Sequence, residues 1–445
     1  MQSIFIFYYN LTEAPILLLF ICRKWQTIAL SVSSLWSDIR FEPARMDHII
    51  PSIEKTMHLP IMCLSWSQLE FAARRAGVGS ARLTCRLSWM EKNIEAYFWL
   101  SKMCRYLKIQ QDHVPAEAFA NSFRNLTNLE ELFIDNTTFH TSPGLKRFWT
   151  NLVVWSPRLT VLETVGEFPE DIFKHPALLG RLRKLSLDTL SSSTQVNQDD
   201  SFKFLKNLEE LTWPFDTPPG LKHIASNLRA LSIRACKSFR TISLPSLTTL
   251  NLRCMPDFPA DSESLTLPAL RHLTFFGPWK WLADLQAPKL YSLNIDDWGL
   301  WKTNDPMQVV RVRPISLTFT SRISDHDLAQ LLATVWSNLT ELHRVYRPFG
   351  TEVLSPVLFN GLTGTEDGDY LCPQLQCFTM KTRNPAHSTK SVKDQVETQV
   401  RRIIQARRGR GNILRRVCLI WDEYPERRAT EFPCRDLGED GITLL

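Results

Sequence analysis

The sequence predicts an α/β fold: a solenoid of short parallel strands, forming an irregular arc with a parallel inner sheet, preceded by a small helical segment. Three observations predict it. A leucine pattern returns along most of the chain at steps that suit one strand per repeat. Longer stretches between some copies carry apolar residues at helical spacing. Ahead of the array, a short amphipathic stretch holds two tryptophans eleven residues apart.

That leading stretch, Ala14 to Ile39, opens with Pro15 at a position a first helical turn accepts, and Leu18, Ile21, Cys22, Trp25, Ile28 and Ala29 then fall on one face. Arg23, Lys24 and Gln26 take the other side. Ser33 and Ser34 interrupt the pattern, and Leu35, Trp36 and Ile39 restart an apolar face over a second short element. The leucine run Leu17–Leu19, the Cys22-Arg23-x-Trp25-x-x-Ile28-Ala29 series and Leu35-Trp36 together resemble the back half of the F-box of fungal F-box proteins. The L-P-x-E-I-L helix that opens an F-box has no counterpart in Met1 to Thr12, so the resemblance is to a truncated F-box. It implies docking on a Skp-type adaptor of a cullin-based ubiquitin ligase through Leu18, Ile21, Cys22, Trp25, Ile28, Leu35 and Trp36. A protein substrate would be held further along the chain.

The array itself is read from L-x-x-L-x-L. Copies begin at Leu129, Leu182, Leu208, Leu228, Leu247, Leu270 and Leu290, separated by 53, 26, 20, 19, 23 and 20 residues, and a weaker copy at Leu159 splits the long gap. With that gap split, the steps lie in or near the range of leucine-rich repeats, roughly 20–29 residues. One unit cannot bury its own leucines, but stacked units bury them against each other, which sets the strands side by side in parallel. Thr141 to Ser156, with Leu145, Phe148, Trp149 and Leu152 at helical spacing, suits a covering helix. The short segments around Pro245, Pro256, Pro268 and Pro288 suit extended or turn-like connectors. Pro60–Ser65 and Cys104–Ile109 read as degraded strands with a helix over Arg86–Phe98 between them. Ile315-Leu317-Phe319, Leu339-Leu342 and Leu375-Phe378-Met380 continue the array around a helix over Asp325–Trp336. A helix over Ser391–Arg408, with Val392, Val396, Val400, Ile403 and Ile404 as its apolar stripe, and a strand through Val417, Leu419 and Trp421 close it as a cap. The layout is thus residues 1–45, a partial F-box-like helical segment; 46–100, linker and N-terminal cap; 101–385, the leucine-rich-repeat solenoid; and 386–445, a capping helix and strand with a basic run.

Composition narrows the function. Of the net charge of +6, five units lie in Lys381–Leu445, so the body is nearly neutral and a broad nucleic-acid face is disfavoured. Arg401, Arg402, Arg407, Arg408, Arg410, Arg415 and Arg416 form the strongest electrostatic feature, read either as the polar side of a packed helix or as an anion site. Ten cysteines without a C-x-x-C pair read as reduced apolar residues of an intracellular protein, placed in the cytoplasm, the nucleus or both. Met1–Tyr9 lacks the positive charge of a signal peptide, and no run reaches the length of a membrane span. The ten histidines are scattered without zinc-ligand spacing, Ser324-Asp325-His326-Asp327 reads as a helix start, and no nucleophile-elbow or phosphate-loop motif is present. The expectation is therefore a non-enzymatic chain without cofactor or metal.

In a strand that buries alternate leucines, the residues between them face outward. The expected substrate-binding set is Glu131, Phe133, Asp135, Lys184, Asp188, Arg234, Asn251, Arg253, His272, Phe276, Asn294 and Asp296. Their mixture of charge and aromatic surface suits a protein partner. Two rival readings stand beside the ligase adaptor: an F-box-derived scaffold independent of the ligase, and an enzyme or nucleic-acid-binding protein using the sheet or the basic run.

Overall fold

A computed structural model of the chain describes residues 23–31, 38–41, 61–63, 74–75, 81–86, 104–110, 126–136, 150–168, 170–190, 199–214, 216–218, 220–236, 243–254, 265–277, 282, 285–295, 312–319, 325–346, 355–364, 370–383, 390–409, 414–422, 427–432 and 443–444. The chain divides into two compact units: Met1–Pro214 with Pro219–Ile224, and Phe215–Pro218 with Ala225–Leu445. Each is α/β, and each is built on an open sheet of parallel strands.

In the first unit helix α1 (Arg23–Ser31) precedes strands β1 (Asp38–Phe41), β2 (Ile61–Cys63), β3 (Ala81–Arg86), β4 (Cys104–Gln110), β5 (Glu131–Asn136) and β6 (Val161–Phe168). Helix α2 (Pro176–Leu179), β7 (Lys184–Leu190), helix α3 (Asp199–Phe202) and β8 (Glu210–Trp213) follow. From β3 to β8 each strand pairs in parallel with the next. At the start β1 sits between β2 and β3. Ile39, expected in a second short element of the helical segment, is instead the partner of Ile61 and Leu83 across this sheet. Its β-branched side chain alternates with charged neighbours in Asp-Ile-Arg-Phe, a strand signal in a run too short for the sequence to separate from a turn of helix. Strand β3 also escaped the sequence reading, which took Arg86 as the start of a helix.

In the second unit the order is β9 (Ala230–Cys236), β10 (Thr249–Cys254), β11 (Leu265–Thr266), β12 (His272–Phe276), β13 (Leu285–Gln286), β14 (Ser292–Ile295), β15 (Ser316–Phe319), helix α4 (Asp325–Thr334) and β16 (Glu341–Tyr346). Then come helix α5 (Pro356–Thr363), β17 (Cys377–Arg383), helix α6 (Lys390–Gly409), β18 (Arg416–Asp422), β19 (Arg427–Phe432) and β20 (Thr443–Leu444). Strands β9, β10, β12, β14, β15, β16, β17 and β18 pair successively in parallel, and β11 with β13 forms a second, two-stranded sheet. The parallel run ends where β19 folds back antiparallel on β18, with β20 antiparallel on β19. The sequence placed the closing strand but not this reversal.

The leucines explain the register. Leu132 and Ile134, Leu185 and Leu187, Leu250 and Leu252, and Leu293 and Ile295 are all 1% exposed or less. Burying each such side chain contributes about 1.5–3 kcal/mol, so a slip of one residue, which would turn the whole set to water, is heavily disfavoured. The structure adds a position to the pattern. Leu126, Leu179, Leu205, Leu244 and Leu267 lie three residues before the first leucine of their copies and are also fully buried. Each receives at its carbonyl the N–H of that first leucine, forming a tight turn that aims the chain into its strand. The lead-in residues then stitch neighbouring strands: Glu130 O accepts from both Thr160 and Val161, Thr248 O from Arg271 and His272, and Gln376 O from Arg415 and Arg416.

Two buried charges depart from the pattern. Arg344 takes the position where other copies hold leucine or phenylalanine, and it is 4% exposed. It meets Asp325 at 3.5 Å and lies 5.8 Å from the Phe319 ring, while Asp325 also accepts the Ser355 N–H at 2.8 Å. Asp325, expected as part of a helix start, thus ties α4 to β16 and to the Ser355 N-cap of α5. Arg407, read as one of the exposed arginines, is fully buried. Its guanidinium donates to Leu362 O at 2.9 Å, Cys372 O at 3.1 Å and Leu371 O at 2.5 Å, and lies 5.2 Å from the Tyr370 ring. Burial lowers its pKa from the usual arginine value. The backbone it holds is strained: Cys372 has φ 53°, a left-handed conformation that costs a side-chain-bearing residue energy, and its thiol donates to Trp336 O at 3.4 Å. Burial pushes that thiol's pKa up to about 12, against the nearby Arg407 charge.

Candidate protein-binding face

Because the register is parallel, outward residues at like positions of successive strands line up in rows. In the first unit one row runs Arg82, Tyr106, Glu131, Val161, Lys184, Glu210, and the next runs Thr84, Lys108, Phe133, Glu163, Ser186, Thr212. Opposite charges and rings interlock along them. Arg82 lies 4.1 Å over the Tyr106 ring and 3.8 Å from Glu131, and Lys108 lies 4.8 Å over Phe133. Lys184 bridges Glu163 at 2.9 Å and Glu210 at 3.5 Å, and at the lead-in end Arg105 pairs with Glu130 at 2.8 Å. Burial pulls the Lys184 pKa down, but the hydrogen bonds and charges of Glu163 and Glu210 outweigh it and leave it above its ordinary value. Asp135 stands opposite Val165, and Asp188 lies where β6 and β7 change register, beside Gly166 at φ 93°. Only a residue without a Cβ takes that conformation cheaply, and the bulge lets β6 bend there.

In the second unit the corresponding rows are Ala230, Thr249, His272, Ser292, Ser316, Glu341, Cys377, Arg416 and Ser232, Asn251, Thr274, Asn294, Thr318, His343, Thr379, Cys418. Arg253 and Phe276 are partners one step further, with the guanidinium 5.0 Å over the ring, and Arg234 sits beside Arg253 at a second register shift. His272 meets the Tyr291 ring edge-on at 6.2 Å, and the Tyr291 hydroxyl donates to Glu341 at 3.3 Å. Burial lowers the His343 pKa below the ordinary histidine value, opposed by Glu341 at 4.0 Å and reinforced by Arg416. Burial and the Glu341 charge likewise raise the Cys377 thiol pKa, against Arg416 and Arg415.

The expected substrate-binding residues therefore separate by unit. Glu131, Phe133, Asp135, Lys184 and Asp188 share the outward face of the first, and Arg234, Asn251, Arg253, His272, Phe276 and Asn294 share that of the second. Asp296 lies outside the described residues. So do Leu18, Ile21, Cys22, Leu35 and Trp36, while Trp25 and Ile28 belong to the backbone of α1. Sequence reasoning missed Arg82, Tyr106, Lys108, Glu163, Glu210, Glu341, His343 and Cys377, and counted Arg416 only in the basic run. Most of them stand at the same outward positions of the weaker copies, so the signal was present wherever the copy itself was recognised.

No protein-family model matches this chain, and no curated protein matches it. Among the described residues no group of three histidines, cysteines or carboxylates is placed to hold a metal ion, and no helix is long and apolar enough to cross a membrane.

Proposed function

We propose that this chain is a substrate-recognition adaptor of a cullin-based SCF-type ubiquitin ligase. In this reading the F-box-like segment docks a Skp-type adaptor, and leucine-rich-repeat solenoid strands present outward rows to a protein substrate. The observation that carries it is the sequence series Cys22-Arg23-x-Trp25-x-x-Ile28-Ala29 with Leu35-Trp36 directly ahead of a repeated parallel sheet. Strand β1 begins two residues after Trp36 and pairs with β3, which supports a docking segment coupled closely to the sheet. The interlocked rows of charge and aromatic surface in the first unit support a protein ligand, because alternating sign suits a partner that itself carries both signs. Catalysis belongs to the ligase on this reading. The chain contributes proximity, raising the effective concentration of substrate lysines near the charged enzyme.

Co-precipitation of a Skp-type adaptor with the wild-type chain and with Trp25→Ala/Trp36→Ala tests the docking. The double variant is expected to lose about nine-tenths of the recovered adaptor, since buried tryptophans dominate interfaces of this kind. Equal recovery with both chains overturns the ligase assignment and leaves the reading of a ligase-independent F-box-derived scaffold.

A further inference from the structure

We infer that Cys236 and Cys254 form a redox pair in the second unit, two facing thiols that close to an intrachain disulfide when a low-molecular-weight disulfide such as oxidised glutathione accepts their electrons. The pair lies on the buried face of β9 and β10, apart from the outward rows, and does not depend on the ligase reading.

A break in the strand register builds the pair. Leu252 stands opposite Ile233 and Cys254 opposite Cys236, so β9 takes three steps where β10 takes two. Strict alternation after Ile233 would turn Cys236 outward, and the extra residue in β9 returns it to the inward side. Cys236 is 0% exposed and Cys254 7%. Neighbouring strands lie about 4.8 Å apart, within the ~4.4–6.8 Å of Cα separation that a disulfide spans. On the other side of Cys254 stands Gly277, where an added Cβ would come 2.7 Å from the Cys254 Cβ and 3.0 Å from its sulfur. Glycine there leaves the sulfur its place. Both cysteines are free, and the Cys236 thiol hydrogen-bonded to Cys254, together with burial, pushes the Cys254 pKa up. Among the described residues no other strand pairing sets two cysteines opposite each other.

The thiolate of Cys254, the more exposed of the two, attacks one sulfur of glutathione disulfide, releasing one glutathione and leaving a mixed disulfide on Cys254. The Cys236 thiolate then attacks the Cys254 sulfur and releases the second glutathione. Two electrons pass from the pair to the glutathione disulfide, and the two thiol protons end on the two released glutathione thiols. A dithiol reverses both exchanges. Burial and the raised pKa keep thiolate scarce, so exchange is slow and waits on local opening of the strand ends. The equilibrium is set differently. Two thiols held face to face have a high effective concentration toward each other, so the second exchange outruns further capture of glutathione and the mixed disulfide does not accumulate.

The experiment equilibrates the full chain with graded ratios of oxidised to reduced glutathione at one fixed concentration of the reduced form, from the reduced and from the pre-oxidised chain, until both reach the same state. Circular dichroism checks that the chain stays folded. Acid quenching, alkylation of the remaining thiols, protease digestion without reductant and mass spectrometry then locate each sulfur. The expected product is a pair of peptides joined through Cys236 and Cys254 and parted by a dithiol, with glutathione on neither cysteine. In Cys236→Ala the lone Cys254 is expected to carry glutathione instead, and to need about tenfold more oxidised glutathione for half-modification than the wild-type pair needs for half-closure. The wild-type result decides the matter even where the variant does not fold. Wild-type thiols still free at the highest ratio, glutathione held on either cysteine, or a link from either to a third cysteine or a second chain as the main product overturns the proposal. So does an equal glutathione requirement in folded Cys236→Ala.

Discussion

Arg407→Ala should destabilise the second unit by about 4 kcal/mol. The guanidinium is fully buried and donates to three main-chain carbonyls, those of Leu362, Leu371 and Cys372. A hydrogen bond from a charged donor contributes roughly 1.5–3 kcal/mol, so the three together are worth about 4–9. Against this stands the desolvation of the cation, visible in its lowered pKa, which returns several kcal/mol when the charge is removed. Loss of the side-chain stem adds back a cavity cost of about 1–2 kcal/mol. For a unit of about 200 residues, 4 kcal/mol lowers Tm by roughly 8–16 °C. Urea unfolding followed by circular dichroism gives the free energy, and hydrogen exchange across residues 358–378 shows whether the loss is local to the end of α5 and the start of β17. Arg407→Lys should recover less than half, because a point ammonium cannot reach three carbonyls arranged around a planar fork. An alanine variant with an unchanged urea midpoint and unchanged exchange in that segment would refute the assignment of Arg407 as the clamp.

Three further outcomes follow from buried or strained positions. Arg344→Ala strands Asp325, whose side chain is only 9% exposed, and is expected to cost about 3–5 kcal/mol, while Arg344→Leu/Asp325→Asn should cost at least 1 kcal/mol less, as read from urea midpoints. The double change fills the repeat's apolar position and keeps an acceptor for the Ser355 N–H. Gly364→Ala is expected to cost about 2–3 kcal/mol: the backbone sits at φ 83° and a Cβ there would meet the Tyr370 ring at 2.6 Å. His343 has its pKa lowered on folding, so the unfolded chain binds the proton more readily. Its contribution is therefore fully present above the unfolded histidine value of about 6.5 and is lost as pH falls below it. His343→Gln should flatten the fall in urea midpoint between about pH 7.5 and pH 5, and an identical slope in both chains would show that His343 does not titrate in this way.

Inward residues were legible in the sequence because a packed interior has one chemistry. Wherever leucine recurred at the pattern's spacing, a strand is present, and at Leu250-Leu252 and Leu293-Ile295 even the face was set by alternation alone. Strands β1 and β3 were missed for the converse reason. Asp38–Phe41 is four residues long and Ala81–Arg86 has a threonine and two arginines among its six, so neither carries enough apolar contrast to outweigh a helical reading. The reversal of β19 on β18 left no signal because the pattern encodes what stacks, not where stacking stops. Outward residues are legible only through the inward ones: Glu163 and His343 were overlooked because their copies, with Thr164 and Arg344 at the third core position, look degenerate. The docking role proposed for Trp25 and Trp36 is motif information, which neither packing nor register can supply.

The basic run shows how charge counting misleads when it is separated from periodicity. Seven arginines between Arg401 and Arg416 look like one patch when read along the chain. On a helix, however, Val396, Val400, Ile403, Ile404 and Arg407 follow one another at four, three, one and three residues, so Arg407 continues the apolar stripe. All five are buried, and the arginine answers burial by binding carbonyls at its tip. Arg402 and Arg408 remain exposed on α6, whereas Arg416 has left the helix and stands in an outward row of the sheet beside Cys377. The described arginines of the run therefore occupy three environments: buried in the helix, exposed on it, and outward on the sheet. Charge in this fold is therefore read across strands and not along the sequence: parallel register is what sets Arg416 in one row with Cys377 and Glu341.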